Sequence, residues 1–484
     1  MPCRSSILYR NPEDTVFLID IPTSITQAQE LSHQLHPCLL KRRESTSEEQ
    51  ATTRYLRSSS PLRTPYPPNT EPKTESARAR VLARIPVTER IVHEAIEPVV
   101  LDALKVLKCH YGQASNWCLE RRFLRDEVRN ELRKNEVIAS SAIASERPAK
   151  RRWEEASDPH EHEYYFQPSS AAKTLQRDSG SVCQPPLILS PGSNSFKSGA
   201  ELCDVVARNT SFETALATIR SSHLAAESTN GPENGDSTRQ KDHIFIIPPL
   251  SNFVLCNIPI SPPAQRNHHH PHPIPGVSPD QKFNLVLLDP PWSNRSVRRS
   301  KHYHTQAYNE NQLLEKKIQD ILQVHSLPIS DQSPTSIAAI WITNSAKARD
   351  IAYNSLSGAE FSVIEEWVWV KTTVDGQPIS PVAGLWRKPY EVLVIGRKQD
   401  TSKLGSTADI ECLRRVIAAV PDVHSRKPNL REIFEKVFFQ QPGSGSGVVP
   451  YSALEAFARN LTAGWWACGN EVLKFNAEDW WVGK

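Results

Sequence analysis

A single methionine in 484 residues, no Cys-x-x-Cys pair and almost no net charge are the first things this chain withholds. Nine cysteines lie scattered along it. Without paired spacing they argue against a structural zinc site or a disulfide framework and for a reducing compartment. The opening Met-Pro-Cys-Arg-Ser-Ser has no apolar core of a signal peptide, and no run reaches transmembrane length, so a soluble, intracellular protein is expected, with no membrane and no metal. Lys and Arg number 57 against 54 Asp and Glu, a net charge of +3. Global charge therefore gives no diagnosis of a nucleic-acid partner, and local clusters must carry that argument. Thirty-eight prolines and a mean hydropathy of −0.47 point to long unpacked stretches beside a folded part.

The chain is long enough for about two or three units. Residues 1–25 read as a β-hairpin, with Ile7-Leu8-Tyr9 and Val16-Phe17-Leu18-Ile19 around Asn11-Pro12-Glu13-Asp14. Residues 41–82, rich in Ser, Thr, Pro and Arg, read as a disordered linker. A helical region with a basic face is predicted over 85–145: Leu119, Phe123, Leu124, Val128 and Leu132 share one face, Arg121, Arg122, Arg125, Arg129, Arg133 and Lys134 the other. That face is either a solvated surface paired to Glu127 and Glu131 or a phosphate contact. Lys150-Arg151-Arg152-Trp153 adds a basic spot compatible with an import signal. Residues 146–240 read as mostly low-complexity linker with one helix near 201–219.

From 243 to 484 strands and helices alternate, as in an α/β layer. Strands are predicted at 252–258, 283–288, 337–343, 361–371, 390–396, 415–420, 453–458 and 470–475, and helices at 309–324, 346–357 and 429–439. The His268-His269-His270-Pro271-His272 insert lacks a ligand set around it and reads as a loop. Gly443-Ser444-Gly445-Ser446-Gly447 follows a helix rather than a strand, so it reads as a flexible connector and not as a nucleotide loop.

One segment carries chemistry. Phe283 to Leu288 forms an apolar strand that delivers Asp289, Pro290, Pro291 and Trp292 into a loop. An aromatic exocyclic amine is a poor nucleophile because its lone pair is delocalised into the ring. The Asp289 carboxylate and the Pro290 carbonyl can accept its two hydrogens, favouring a pyramidal nitrogen whose lone pair faces an electrophile. Trp292 offers a flat face for a stacked base, worth about 1–3 kcal/mol. With an ordinary pKa near ~3.9, Asp289 is expected to orient and stabilise charge rather than act as a strong base.

With Trp369-Val370-Lys371-Thr372, Lys388-Pro389-Tyr390-Glu391, Arg426-Lys427-Pro428, Phe457-Ala458-Arg459-Asn460 and Gly469-Asn470-Glu471-Val472-Leu473-Lys474-Phe475 following in order, the chain resembles the eukaryotic mRNA-type adenosine N6-methyltransferase family over about 247–476. Ser293 to Ser300 and the C-terminal run are most similar to its methyltransferase-like-four branch. The resemblance implies a Rossmann-like methyltransferase of permuted motif order at 243–484, preceded by a partly disordered, partly helical N-terminal region, with S-adenosylmethionine as cofactor. It assigns cofactor contacts to Asn257, Ile258, Asp289, Lys427, Arg459, Asn460, Asn470 and Glu471. In the family, aspartate is commoner at Asn257 and histidine at Arg426. It places Tyr303, Trp369, Lys371 and Glu391 around the adenosine.

Arg295, Arg298, Arg299 and Lys301, in the loop leaving the catalytic strand, can meet substrate phosphates. The branch implies RNA as partner, in particular a 2′-O-methylated adenosine of U2 small nuclear RNA, with DNA adenine as the alternative. A silent RNA-binding scaffold is a further reading, although scaffold members of the family lose the Asp-Pro-Pro-Trp tetrapeptide. It identifies no protein partner. The basic clusters and the family imply the nucleus, with the cytoplasm as a second location. Replacing Arg298 and Arg299 by Ala is expected to weaken polynucleotide binding and flatten its salt dependence. An unchanged salt slope would remove the loop from the binding surface.

Overall fold

The computed structural model describes residues 5–31, 54–67, 71–111, 116–123, 184–221, 241–260, 272–292, 310–329, 336–385, 387–399, 412–441 and 447–483. Its centre is a twelve-stranded sheet. In chain order the strands are β1 (Ile7–Arg10), β2 (Val16–Ile19), β3 (Leu187–Leu189), β4 (Val206–Asn209), β5 (Asn252–Leu255), β6 (Leu285–Leu288), β7 (Ile337–Ile342), β8 (Phe361–Lys371), β9 (Tyr390–Lys398), β10 (Leu413–Ala419), β11 (Ala453–Ala456) and β12 (Trp466–Gly469). Across the sheet they run β1-β2-β10-β8-β9-β7-β6-β11-β12-β5-β4-β3. Five neighbours, β7, β6, β11, β12 and β5, are mutually parallel.

Both faces of the sheet are covered, so its central strands are apolar on both sides and sort their residues by parity. On β7, Ile337, Ala339 and Trp341 enter one core, while Ala338, Ile340 and Ile342 enter the other. β6 divides the same way, Leu285 and Leu287 against Val286 and Leu288. Helices α1 (Ile21–Ala28) and α6 (Arg431–Phe438) pack on the first face through Ile21, Ile25, Ile433 and Phe434. Helices α3 (Val87–Tyr111), α4 (Glu310–His325) and α5 (Ala346–Gly358) cover the second with Ile96, Leu104, Ile318, Ile351 and Leu356. Helix α2 (Glu75–Leu82) buries no residue. A third core gathers around the small sheet of 192–196, 215–221 and 241–247.

The N-terminal hairpin forms as the pattern predicts. Asn11 closes it by accepting from the Thr15 and Val16 amides, both at 2.8 Å. Strand β2 then pairs parallel with β10, which makes the hairpin the border of the main sheet rather than a separate unit. Asp20 caps α1, accepting from the Thr23 amide at 3.1 Å.

Four expectations differ from what is observed. Within 41–82, the described residues form a strand, Tyr55–Ser58, and helix α2; the strand is satisfied on both edges by Trp481–Val482 and Arg122–Phe123. Of the basic-face helix, residues 119–123 are not helical, and Arg121 is buried; Leu124 to Lys134 and the Lys150 cluster lie outside the described residues. The helix near 201–219 is instead a 3₁₀ turn (Gly199–Leu202), β4 and a strand, Ala215–Ser221. There Ala215, Ala217 and Ile219 are buried and alternate with more open residues, a period of two that outweighs helix propensity. The strand set at 470–475 lies one step earlier, as β12, and Lys474–Asn476 is a 3₁₀ turn. Residues 268–271 and 443–446 are outside the described residues.

The sheet therefore extends beyond 243–484, since β1, β2, β3 and β4 come from before it. Phe17 is fully buried between the sheet and α1. Phe17→Ala is expected to cost about 3–5 kcal/mol in urea unfolding, although it lies outside the predicted 243–484 domain. A loss below 1 kcal/mol would show that the hairpin merely rests on the sheet.

Candidate active site

Parallel strands end at one edge of the sheet, where α/β folds bind ligands. Asp289 follows β6, Phe457 to Asn460 follow β11, Asn470 and Glu471 follow β12, and Asn257 and Ile258 follow β5. Trp369 and Lys371 end β8, Glu391 lies at the start of the antiparallel β9, and Lys427 sits in the loop after β10. Register alone brings these distant residues to the same side.

The side chains there form an unbroken chain of alternating charge. Lys371 Nζ lies 2.6 Å from Glu391 Oε1, and Lys427 Nζ lies 2.8 Å from Glu391 Oε2. Lys427 also reaches Asp289 Oδ1 at 3.3 Å. Arg459 Nη1 donates to Asp289 Oδ2 at 2.7 Å, and its Nε donates to Glu471 Oε2 at 2.8 Å. Lys474 closes the row, 3.5 Å from Glu471. Pairing decides the ionisation states. Burial works against charge on Glu391, but Lys427 and Lys371 outweigh it and hold the carboxyl well below its usual range. Burial likewise opposes charge on Lys427, and Asp289 and Glu391 reverse it, raising the ammonium pKa.

Trp292 is tethered. Its indole Nε1 donates to the Trp341 carbonyl at 2.7 Å, and its backbone amide donates to the Pro290 carbonyl at 2.9 Å. The ring is half-buried, with one side packed on the core. A carbonyl oxygen carries two lone pairs, so Pro290 retains one acceptor direction. Lys371 Nζ sits 4.7 Å from the centroid of the buried Trp369 ring, whose Nε1 has no hydrogen-bond partner among the described residues. Lys427 Nζ sits 5.1 Å over Trp341.

A cleft lined in part by Asp289 opens at this edge. Of the predicted cofactor residues it collects Asp289, Lys427, Arg459 and Asn460. Asn257, Ile258, Asn470 and Glu471 stand at the same edge but outside its lining; Asn257 and Asn470 are exposed and Ile258 is buried. The Asn460 Nδ2 is buried with no hydrogen-bond partner among the described residues. Phe457 adopts a φ of 60°, and Gly469 faces it: a Cβ on Gly469 would stand 3.2 Å from the Phe457 Cα. Arg295, Arg298, Arg299, Lys301 and Tyr303 lie outside the described residues.

Glu455 and Trp465 line the cleft without having been singled out in the sequence. Glu455 pairs in register with Leu287 on β6. Burial, then the neighbouring Asp289 charge, against a smaller opposing effect of Arg459, push its carboxyl up to about 8. The cleft thus sets a carboxyl that holds its proton at neutral pH beside the paired Asp289.

Residues 283–471 match the protein-family model MT-A70. Over 208 residues the chain is 39% identical to a Cryphonectria parasitica protein named N6-methyladenosine RNA methyltransferase MTA1, covering 41% of this chain and 54% of that one. It is 32% identical over 246 residues to the human N(6)-adenine-specific methyltransferase METTL4, covering 49% and 45%. A Caenorhabditis elegans protein named DNA N6-methyl methyltransferase is 26% identical over 250 residues, covering 51% and 56%. The chain spans about half the length of these relatives. The matched stretch contains the whole charge row except Lys474, while Asn257 and Ile258 precede it.

The raised Glu455 pKa fixes a sign. Its folded value of about 8 exceeds the ordinary 4.5, so the folded state holds the proton more tightly and stability falls as pH rises between those values. Glu455→Gln is expected to match wild type near pH ~4 and to exceed it by a few kcal/mol at most near pH ~9 in urea titrations. Parallel curves at both pH values would contradict this.

Proposed function

We propose that this protein is an S-adenosylmethionine-dependent methyltransferase acting on the N6 amine of adenine in a polynucleotide, with RNA favoured. The observation that carries the reading is Asp289, held at the end of β6 by Arg459 and Lys427 next to the Pro290 carbonyl. The names of the relatives support the class of reaction: the fungal protein is named for RNA, the human one for adenine, the nematode one for DNA. Within it, the finer reading is a 2′-O-methylated adenosine of a small nuclear RNA such as U2, in the nucleus, on a Rossmann-like fold of permuted order.

The residues of the edge suit the cofactor. Lys427 and Arg459 are cations fit for a carboxylate, and Asn460 supplies a buried donor with no partner among the described residues. Asn470 and Glu471 can hold ribose hydroxyls, with Asn257 and Ile258 at the next strand end. When bound, S-adenosylmethionine supplies an electrophilic methyl group. The protein's own task is to present the nucleophile. Asp289 and Pro290 accept the two amine hydrogens, which costs the nitrogen its conjugation with the ring and turns its lone pair out of the plane. As the nitrogen becomes cationic, the Asp289 carboxylate stabilises the growing charge, and the proton leaves afterwards. Trp292, fixed by Trp341, offers the stacking face, and Glu391, flanked by Lys371 and Lys427, adds a further acceptor at the same edge. The base must leave its stack or come from a single strand to reach them.

Asp289→Asn keeps the shape and removes the charge. It is expected to lower kcat by about 10²–10³-fold while calorimetric affinity for S-adenosylmethionine stays within a few-fold. Near-native turnover of this variant would remove Asp289 from the reaction. Parallel assays on RNA and DNA oligonucleotides of one sequence decide the substrate, and preference for DNA would overturn the RNA reading.

A further inference from the structure

Lys427 is the hinge of the charge row, pairing with both Glu391 and Asp289, yet it stands on a loop rather than a strand. What fixes that loop lies one residue before it. Arg426 has a side chain with no exposed surface, paired with an equally buried Asp422 at 2.8 Å. Its guanidinium carbon sits 4.5 Å from the Phe475 ring centroid and 4.4 Å from that of Trp480, and Nη1 donates to the Arg57 carbonyl at 2.9 Å. Asp422 in turn accepts from the Ser59 amide at 2.8 Å and the Ser59 hydroxyl at 3.2 Å. Arg121 ties the base of the loop, donating to the carbonyls of Val420 at 2.8 Å and Pro421 at 2.9 Å. Three segments remote in sequence, 57–59, 121 and 475–480, thus converge on 420–426.

A device that served only stability would look different. Arg426 leaves Nε and Nη2 buried without partners among the described residues, and a buried ion pair replaced by apolar residues of equal volume is often as stable or more so. Ser425, just before it, adopts a φ of 66°, a conformation that a non-glycine residue holds only where its surroundings enforce it. That turn sends Arg426 under the loop while Lys427 enters the cleft.

We propose that the Asp422–Arg426 pair, clamped by Ser59, Arg121 and the Phe475–Trp480 rings, is a positioning device that aims Lys427 at the donor's carboxylate and at Asp289. The N-terminal half then acts on the reaction through this loop without touching substrate. The inference rests on the reading of Lys427 as a carboxylate contact.

The test uses the full chain and two ligands that differ at one end: S-adenosylhomocysteine, which bears the amino-acid carboxylate, and 5′-methylthioadenosine, which lacks it. In the double variant Asp422→Asn/Arg426→Met, Met fills the slot between the rings without charge. Calorimetry is expected to show S-adenosylhomocysteine affinity reduced about tenfold or more with 5′-methylthioadenosine within about twofold, and KM for S-adenosylmethionine raised more than kcat is lowered. Arg121→Met, which leaves the pair intact, is expected to show the same selectivity to a smaller degree, and Arg426→Lys to restore part of it. Equal losses for both ligands, or none for either, would overturn the proposal, and this applies to Arg121→Met alone if the double variant does not fold. Wild-type protein that binds neither ligand would instead sink the assignment of the cofactor, and the positioning role with it.

Discussion

Asp289 is a half-buried carboxyl set between two cations, Lys427 and Arg459, and the arrangement of the whole sheet edge is built around that pairing. A carboxylate in such a place is stable only when paired, and breaking a buried pair costs about 3–5 kcal/mol. The protein meets this with a row of seven residues of alternating sign, Lys371-Glu391-Lys427-Asp289-Arg459-Glu471-Lys474. Each acidic group in the row is held between two cations, so no single side chain carries the compensation.

Charge compensation of this kind needs exact placement by parts far apart in sequence. The parallel strands supply it: β5, β12, β11, β6 and β7 end together, and each contributes a residue to the edge. Strand β8 and the loop after β10 add Lys371 and Lys427, and β9, running the other way, starts there with Glu391. The N-terminal hairpin, the Tyr55–Ser58 strand and Arg121 secure the border on which the Lys427 loop depends. The N-terminal hairpin, α1, Leu56 and α3 therefore share cores with residues of 283–471.

Much of this was legible in the sequence because local pattern and chemistry coincide there. Strand 361–371 forms at its predicted bounds, since its apolar run is long and bounded. Asp289, Lys427, Arg459, Glu391, Lys371 and Glu471 come together as their motifs imply. Other features were hidden for physical reasons. Tyr55–Ser58 is too short to announce itself, and its partners, Arg122–Phe123 and Trp481–Val482, are remote. Glu455 in Ala453-Leu454-Glu455-Ala456 reads as an outward-facing acid, and only the cleft reveals it as a raised, neutral carboxyl. Arg121 was counted on a basic helical face, whereas its guanidinium is spent on the carbonyls of Val420 and Pro421. Asn257 and Ile258 reach the predicted edge without entering the cleft.

The central claim is geometric, so a structure tests it most directly: the protein bound to a bisubstrate compound in which the adenine N6 nitrogen is linked to the position of the donor's methyl group. The account predicts an Asp289 carboxylate oxygen and the Pro290 carbonyl within about 2.7–3.2 Å of that nitrogen, with Lys427 turned to the donor's carboxylate. An Asp289 still locked on Arg459 and facing away from the nitrogen would contradict it.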